Sequence, residues 1–408
     1  MANLKSLIYL SNGNLPSKMA HTIQVAKMAQ ALSQQIENFE LVTGGDFRSA
    51  LKGIDLDFQN WYGLHHQFKL VRLPTHLKIE YPFPQDYQSY QYCKLAVLYA
   101  CLKSPSLVFT RSSSIVKLLL KIGVPVLWEK HEIISEKPST HKFFTNKNFI
   151  GFVTISQQLA EQSIKYGLSP EKVLVAHSAV DLENFLPYQT KQLARQKLSL
   201  PQNEKIVLYS GHLYKSKGIP TLLETARLMP ECRFVLVGGW DEDIKRVQED
   251  CQQLNLHNVQ LAGHILQSEL ASYLYAADVL IVPTSKHWHL AETTSPLKLF
   301  EYMSVKRPIV ASALPTIMTV LRERENALLA EPDDPLSFKE AVISLLENSV
   351  LANQLTERAF EDVQNCTWNK RAERILQFSR ERLKEVDENI SHPRKNLIKH
   401  IKKNLFQP

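Results

Sequence analysis

Glycine is scarce in this chain: 13 of 408 residues, where about 7% is usual. Collagen-like and glycine-rich disordered classes are excluded, and a glycine at a loop–helix junction becomes informative. The five cysteines (Cys93, Cys101, Cys232, Cys251, Cys366) are odd in number and widely spaced, with no CxxC pair. Neither a disulfide framework nor a zinc site is indicated, and a reducing compartment fits. No apolar run reaches the ~18–20 residues that a membrane-spanning helix needs. Met1–Ser11 shows no basic segment followed by an apolar one, so no secretory signal is expected, and a cytoplasmic location is. There is no internal repeat and no low-complexity tract.

What is present is ordinary for a folded protein: 44% apolar and 22% charged residues, over a length that suggests two or three domains. The formal charge is +7. Arg394, Lys395, Lys399, Lys402 and Lys403 supply five of those charges within Asn389–Pro408, which leaves +2 on the first 388 residues. A nearly neutral body argues against a nucleic-acid-binding face.

Short apolar strands alternate with amphipathic helices. Ser6–Leu10, Phe39–Thr43, Leu107–Thr110, Val124–Trp128 and Ile150–Ile155 read as strands, and the helix after the first carries Val25, Met28, Ala29 and Leu32 on one face. Leu182–Asn203, with Pro187 and Pro201, reads as a linker followed by a short helix. The rhythm then restarts with strands at Lys205–Ser210, Arg233–Val237, Val259–Ala262 and Val279–Val282. The expectation is an α/β chain of two Rossmann-like, doubly wound parallel-sheet domains facing an interdomain cleft: residues 1–185, residues 186–375, and a terminal helix with a basic tail at 376–408.

Two segments carry the chemistry. The strand ending at Ser210 runs through Gly211, His212 and Lys217-Gly218 into a helix, which places a lysine where helix amides favour an anion. It is not a P-loop, since no GK[ST] closes it. Further on, Ser295 suits a helix N-cap, Pro296 the first helical position, and Glu301 lies about 7.5 Å along the axis from Pro296. That is the reach from a diphosphate to a ribose, whose hydroxyls a carboxylate can bind.

These segments resemble the group 1 (family 4) retaining glycosyltransferases of GT-B fold. The matching stretches are Gly211–Ala226, Phe234–Gly239, Ala276–Pro283, Thr294–Ser312, Asn326–Pro335 and Trp368–Ala372, with looser agreement at Pro16–Leu32 and Leu127–Glu132. The resemblance implies an enzyme of polysaccharide biosynthesis that moves a hexosyl group from a nucleotide-diphosphate sugar to a glycan or lipid-linked acceptor, with retention and without metal or other cofactor. It implies catalytic roles for His131, Lys217 and Glu301. It places donor contacts at Gly13, Gly211, His212, Lys217, Thr293, Thr294, Ser295, Pro296, Leu297, Lys298 and Glu301, and acceptor-side contacts at His21 and His131. Other readings on the same fold are a nucleotide-sugar 2-epimerase, a phosphorylase, or a nucleotide-binding scaffold without turnover.

The chain departs from the pattern at three places. His212 stands where the family has arginine. Thr293 stands where the family has the first glutamate of E-x7-E, so either Glu292 shifts into place or the amides and hydroxyls of Thr293–Ser295 bind the sugar. The first loop has one glycine, Gly13.

Metal signals are weak. His131-Glu132 opens like HExxH, but position 135 is Ser. Asp55 and Asp57 form a DxD in a loop-like stretch, and Asp241–Asp243 suits the positive end of a helix. His287-Trp288-His289 precedes Glu292 and either shapes the sugar pocket or is a variable loop. In the tail, Leu397, Ile398, Ile401 and Leu405 share a helical face ringed by lysines. Residues 390–408 thus read as an anchor to an anionic membrane surface on the inner face, a docked helix, or a disordered tail.

Overall fold

The computed structural model describes residues 4–17, 19–45, 56–74, 90–134 and 142–387. The DxD residue Asp55 and the basic tail lie outside these. By packing, the chain divides into two compact units, one of residues up to His177 together with those from Trp368, the other of Ser178–Thr367. The divisions fall eight residues before each boundary expected from sequence, after His177 rather than 185 and after Thr367 rather than 375.

In the first unit, β1 (Ser6–Asn14), β2 (Asn38–Gly45), β3 (Leu70–Pro74), β4 (Leu107–Thr110), β5 (Val126–Glu129), β6 (Phe149–Thr154) and β7 (Val173–Val175) form one sheet. Its order is β3-β2-β1-β4-β5-β6-β7, with every pairing parallel. β4, β5 and β6 are buried along their whole length. Strands covered by helices on both faces read as continuous apolar runs for this reason. The helix Ser113–Ile122 shows how locally its ends are set: Ser112 accepts from the Ile115 amide, and Gly123 closes it at φ 79°.

In the second unit, β8 (Lys205–Ser210), β9 (Cys232–Val237), β10 (Val259–Gly263), β11 (Val279–Val282), β12 (Ile309–Ser312) and β13 (Leu328–Ala330) form a parallel sheet of order β10-β9-β8-β11-β12-β13. Both sheets reverse their winding once, between β1 and β4 and between β8 and β11. In doubly wound sheets ligands bind beyond the carboxyl ends of the strands at such reversals.

Two expectations are corrected. The short helix expected within Leu182–Asn203 is present, but the segment is no hinge between the units, because it belongs to the second. Its helix Lys191–Lys197 is fastened to the second unit through Arg195, which is 2% exposed and donates to Ala276 O at 2.9 Å and to Asp278 Oδ2 at 2.6 Å. Gly13 does not sit in a loop either, because β1 continues to Asn14, which pairs with Gly44.

Candidate functional site

The carboxyl ends of β8 and β11 meet around two glycines. Gly218 has φ +80°, and a Cβ there would lie 1.5 Å from Pro283 O. Only glycine lets the loop after β8 press against the chain leaving β11. Gly211 has φ +132°, and a Cβ there would lie 2.7 Å from Lys298 Nζ. The loop after β11 is pinned in turn: Ser285 N donates to Ser216 O at 3.3 Å and Trp288 N to Ser285 O at 3.2 Å. Thr316 Oγ1 donates to Ala291 O at 2.6 Å.

These contacts gather two lysines. Lys217 Nζ lies 3.2 Å from the centre of the Trp288 ring, and Lys298 Nζ lies 3.8 Å from that of Tyr209. Burial lowers Lys217 to about 8. Burial first, and then the Lys217 charge, push Lys298 well below its ordinary value, against the pull of Glu301. Among the described residues neither lysine is within ion-pair distance of a carboxylate. His212 stacks on Tyr214, with ring centres 4.9 Å apart and planes 4° apart, and lies 5.9 Å from Trp240. Burial and then the Lys298 and Lys217 charges lower its pKa, so it stays neutral near pH 7. Cation–π contact holds ammonium groups in place without neutralising them. It is burial that disfavours the charged forms of the two lysines.

Glu301 lies on the helix Leu297–Met303 and accepts from Gln267 Nε2 at 2.9 Å. The helix is fastened to the end of β8, since the Ser210 amide donates to Tyr302 Oη at 2.7 Å. It starts one residue later than expected. Pro296 occupies the N-cap position, and Ser295 does not cap. The Ser295 hydroxyl instead accepts from the Ser178 amide at 3.0 Å, while Ser178 Oγ donates to Ser295 O at 2.7 Å. The amides of Thr293 and Thr294 are also spent, both on Leu290 O. The Thr293 hydroxyl is buried and has no hydrogen-bond partner, whereas Glu292 is exposed.

A second cluster lies in the first unit, beyond β4 and β5. Glu129 is 2% exposed. Its Oε1 accepts from Arg371 at 2.5 Å and from His131 Nε2 at 2.6 Å. His131 Nδ1 faces Arg111 at 2.7 Å. A guanidinium only donates, so Nδ1 carries a lone pair and Nε2 the hydrogen. Burial and the Arg111 charge hold His131 at about 4, against the pull of Glu129. Burial works to raise the Glu129 carboxyl, but Arg371 above all outweighs it and holds the group below the usual carboxylate range. With both ring nitrogens engaged, His131 presents none to a substrate. His21 lies at the start of the helix Ala20–Ser33.

Sequence reading missed Glu129, Arg371 and Arg111 as a set. The one available signal was a glutamate closing an otherwise apolar strand. Of the acidic motifs, Asp57 lies in the first turn of the helix Leu56–Tyr62 and Asp243 pairs with Arg246 at 2.6 Å.

Residues 190–362 match the family model of glycosyl transferases group 1. A curated D-inositol 3-phosphate glycosyltransferase of Nocardioides sp. is 27% identical over 242 residues, 55% of this chain and 51% of that protein. The chain thus spans about half the length of the curated relatives it matches. The sucrose-phosphate synthase of Thermosynechococcus elongatus superposes with TM-score 0.72 at 21% identity, over 93% of this chain and 100% of that one. The HepE protein of Anabaena, in complex with UDP and glucose, gives 0.68 at 15%, over 92% and 99%. Over residues 190–362 the chain is thus similar to the group 1 glycosyl transferases, and its fold is GT-B.

Proposed function

We propose that the protein is a retaining, metal-independent glycosyltransferase that moves a hexosyl group from a nucleotide-diphosphate sugar to a glycan or lipid-linked acceptor. The observation that carries this reading is the pair Lys217 and Lys298, two desolvated lysines without a carboxylate partner at the carboxyl ends of β8 and β11. A diphosphate supplies the missing negative charge. Glu301, steadied by Gln267, binds the ribose hydroxyls. The unpartnered Thr293 hydroxyl gives the sugar a hydrogen-bond partner where other family members carry glutamate.

In the reaction the bond from the anomeric carbon to the diphosphate breaks, and an acceptor hydroxyl oxygen bonds to that carbon. The hydroxyl proton leaves with the nucleotide diphosphate. Charge builds on the departing oxygen, and the two ammonium groups meet it there, as a divalent cation does in metal-dependent enzymes. The donor side belongs to the second unit and the acceptor side to the first.

A panel of UDP-, GDP- and ADP-sugars tests the reading through Tm shifts and donor turnover. One donor raises Tm and is consumed, and Lys217→Ala or Lys298→Ala lowers turnover about 100- to 1,000-fold. No turnover of any donor, with nucleotide binding indifferent to Lys217→Ala and Glu301→Ala, overturns it. Binding without turnover leaves the scaffold reading.

A further inference from the structure

Arg111 is a cation held in place, and among the described residues no carboxylate forms an ion pair with it. It follows β4, beside the reversal of the first sheet, and the backbone on either side is tied down. Thr110 Oγ1 donates to Leu10 O at 2.8 Å, and Ser112 caps the following helix. The guanidinium donates to Gln24 Oε1 at 3.1 Å and meets His131 Nδ1 at 2.7 Å. Three of its five N–H donors have no partner among the described residues.

The charges around it do not balance. Glu129 is the carboxylate of the cluster, and its contacting oxygen is taken by Arg371 and His131. His131 is neutral because its Nδ1 must accept from Arg111. Among the described residues one carboxylate, Glu129, faces two guanidinium groups: it pairs directly with Arg371 and acts on Arg111 only through space, which leaves an excess positive charge at Arg111. A partly buried cation without a counter-ion is costly, and an anionic ligand recovers that cost. The planar fork of arginine matches a carboxylate or phosphate with two parallel hydrogen bonds.

We infer that Arg111 is the specificity-determining residue for the acceptor, which carries a carboxylate or phosphate group on its sugar. Gln24 and His131 are positioning residues that aim the guanidinium. The inference rests on the reading of the first unit as the acceptor side, and the test is chosen so that the two can fail separately.

Calorimetry on the full chain carrying Lys217→Ala and Lys298→Ala, so that the second unit does not take up the probes, compares glucose 6-phosphate, glucuronate and glucose. At least one sugar anion binds, and uncharged glucose binds at least 10-fold more weakly. Adding Arg111→Gln weakens the anion at least 10-fold, and Arg111→Lys, which keeps the charge and the aliphatic stem, by about 3- to 10-fold. The arm that responds tells phosphate from carboxylate. Anion binding unchanged in both Arg111 variants overturns the inference, as does no binding of either anion. Both outcomes are independent of whether a nucleotide sugar is turned over, which the donor assay alone decides.

Discussion

Lys217 sits with its ammonium 3.2 Å from the centre of the Trp288 ring, so an aromatic face shields from water the lysine to which the proposed function assigns the diphosphate. Burial brings it to about 8. Only the protonated form attracts an anion, so nucleotide affinity is full below that pH and falls as pH rises through it, about tenfold per unit. Lys298, lowered in the same direction, adds to the trend. Titrating UDP, or whichever nucleotide raises Tm, at pH 7, 8 and 9 checks this. Lys217→Arg keeps its charge throughout and flattens the profile; a flat profile for the wild-type chain contradicts the assignment.

Gly218 meets the chain after β11 so closely that no side chain fits: φ is +80°, and the added carbon would lie 1.5 Å from Pro283 O. Gly218→Ala must push the two loops apart. We expect a loss of at least about 2 kcal/mol of stability, together with a large loss of nucleotide affinity. Chemical denaturation and calorimetry measure the two. Unchanged affinity in a folded Gly218→Ala protein contradicts the placement of the site at this junction.

His131 makes the first unit sensitive to acid. Its folded value is about 4, against about 6.5 in an unfolded chain. Between these the unfolded chain takes up a proton that the folded one refuses. Stability therefore rises with pH across the window and falls as pH drops from about 6.5 toward 4. At pH 5 the loss is about 2 kcal/mol. Glu129, held below its ordinary range, adds a further loss only once pH falls through the carboxylate range. Denaturation midpoints at pH 7 and 5 read the slope. His131→Gln, which does not titrate, reduces it; an unaltered slope sinks the account.

The sheets were legible in the sequence wherever a strand is a long apolar run. β4, β8 and β11 are found at the expected residues, and β5 and β6 are displaced by one or two. β7 and β13 have three residues each, too few to carry a period. β3 hides because Arg72 interrupts it, although that guanidinium is buried 5.5 Å from the centre of the Phe58 ring. At the junction of β8 and β11, the sequence singled out Gly211, Lys217, Gly218 and Glu301 by their spacing, and Lys298 through the family resemblance. The rest depends on partners distant in sequence. Ser295 looks like a cap until Ser178, 117 residues earlier, claims its hydroxyl. His131 looks available until Glu129 and Arg111 claim both its nitrogens. Arg371, 242 residues from Glu129, cannot be assigned to it by any local pattern.

The helix Trp368–Asp387 belongs to the first unit, and Arg371 ties it to Glu129 and to His177 O. The second unit is thus an insertion within the first. On a ribosome, Ser178–Thr367 emerges complete and can fold while the first unit still lacks the arginine that compensates its buried carboxylate. The unit that comes first in sequence is the last to be finished. A fragment ending at His177 leaves Glu129 without its strongest partner, so the first unit cannot be separated by a simple cut in the chain.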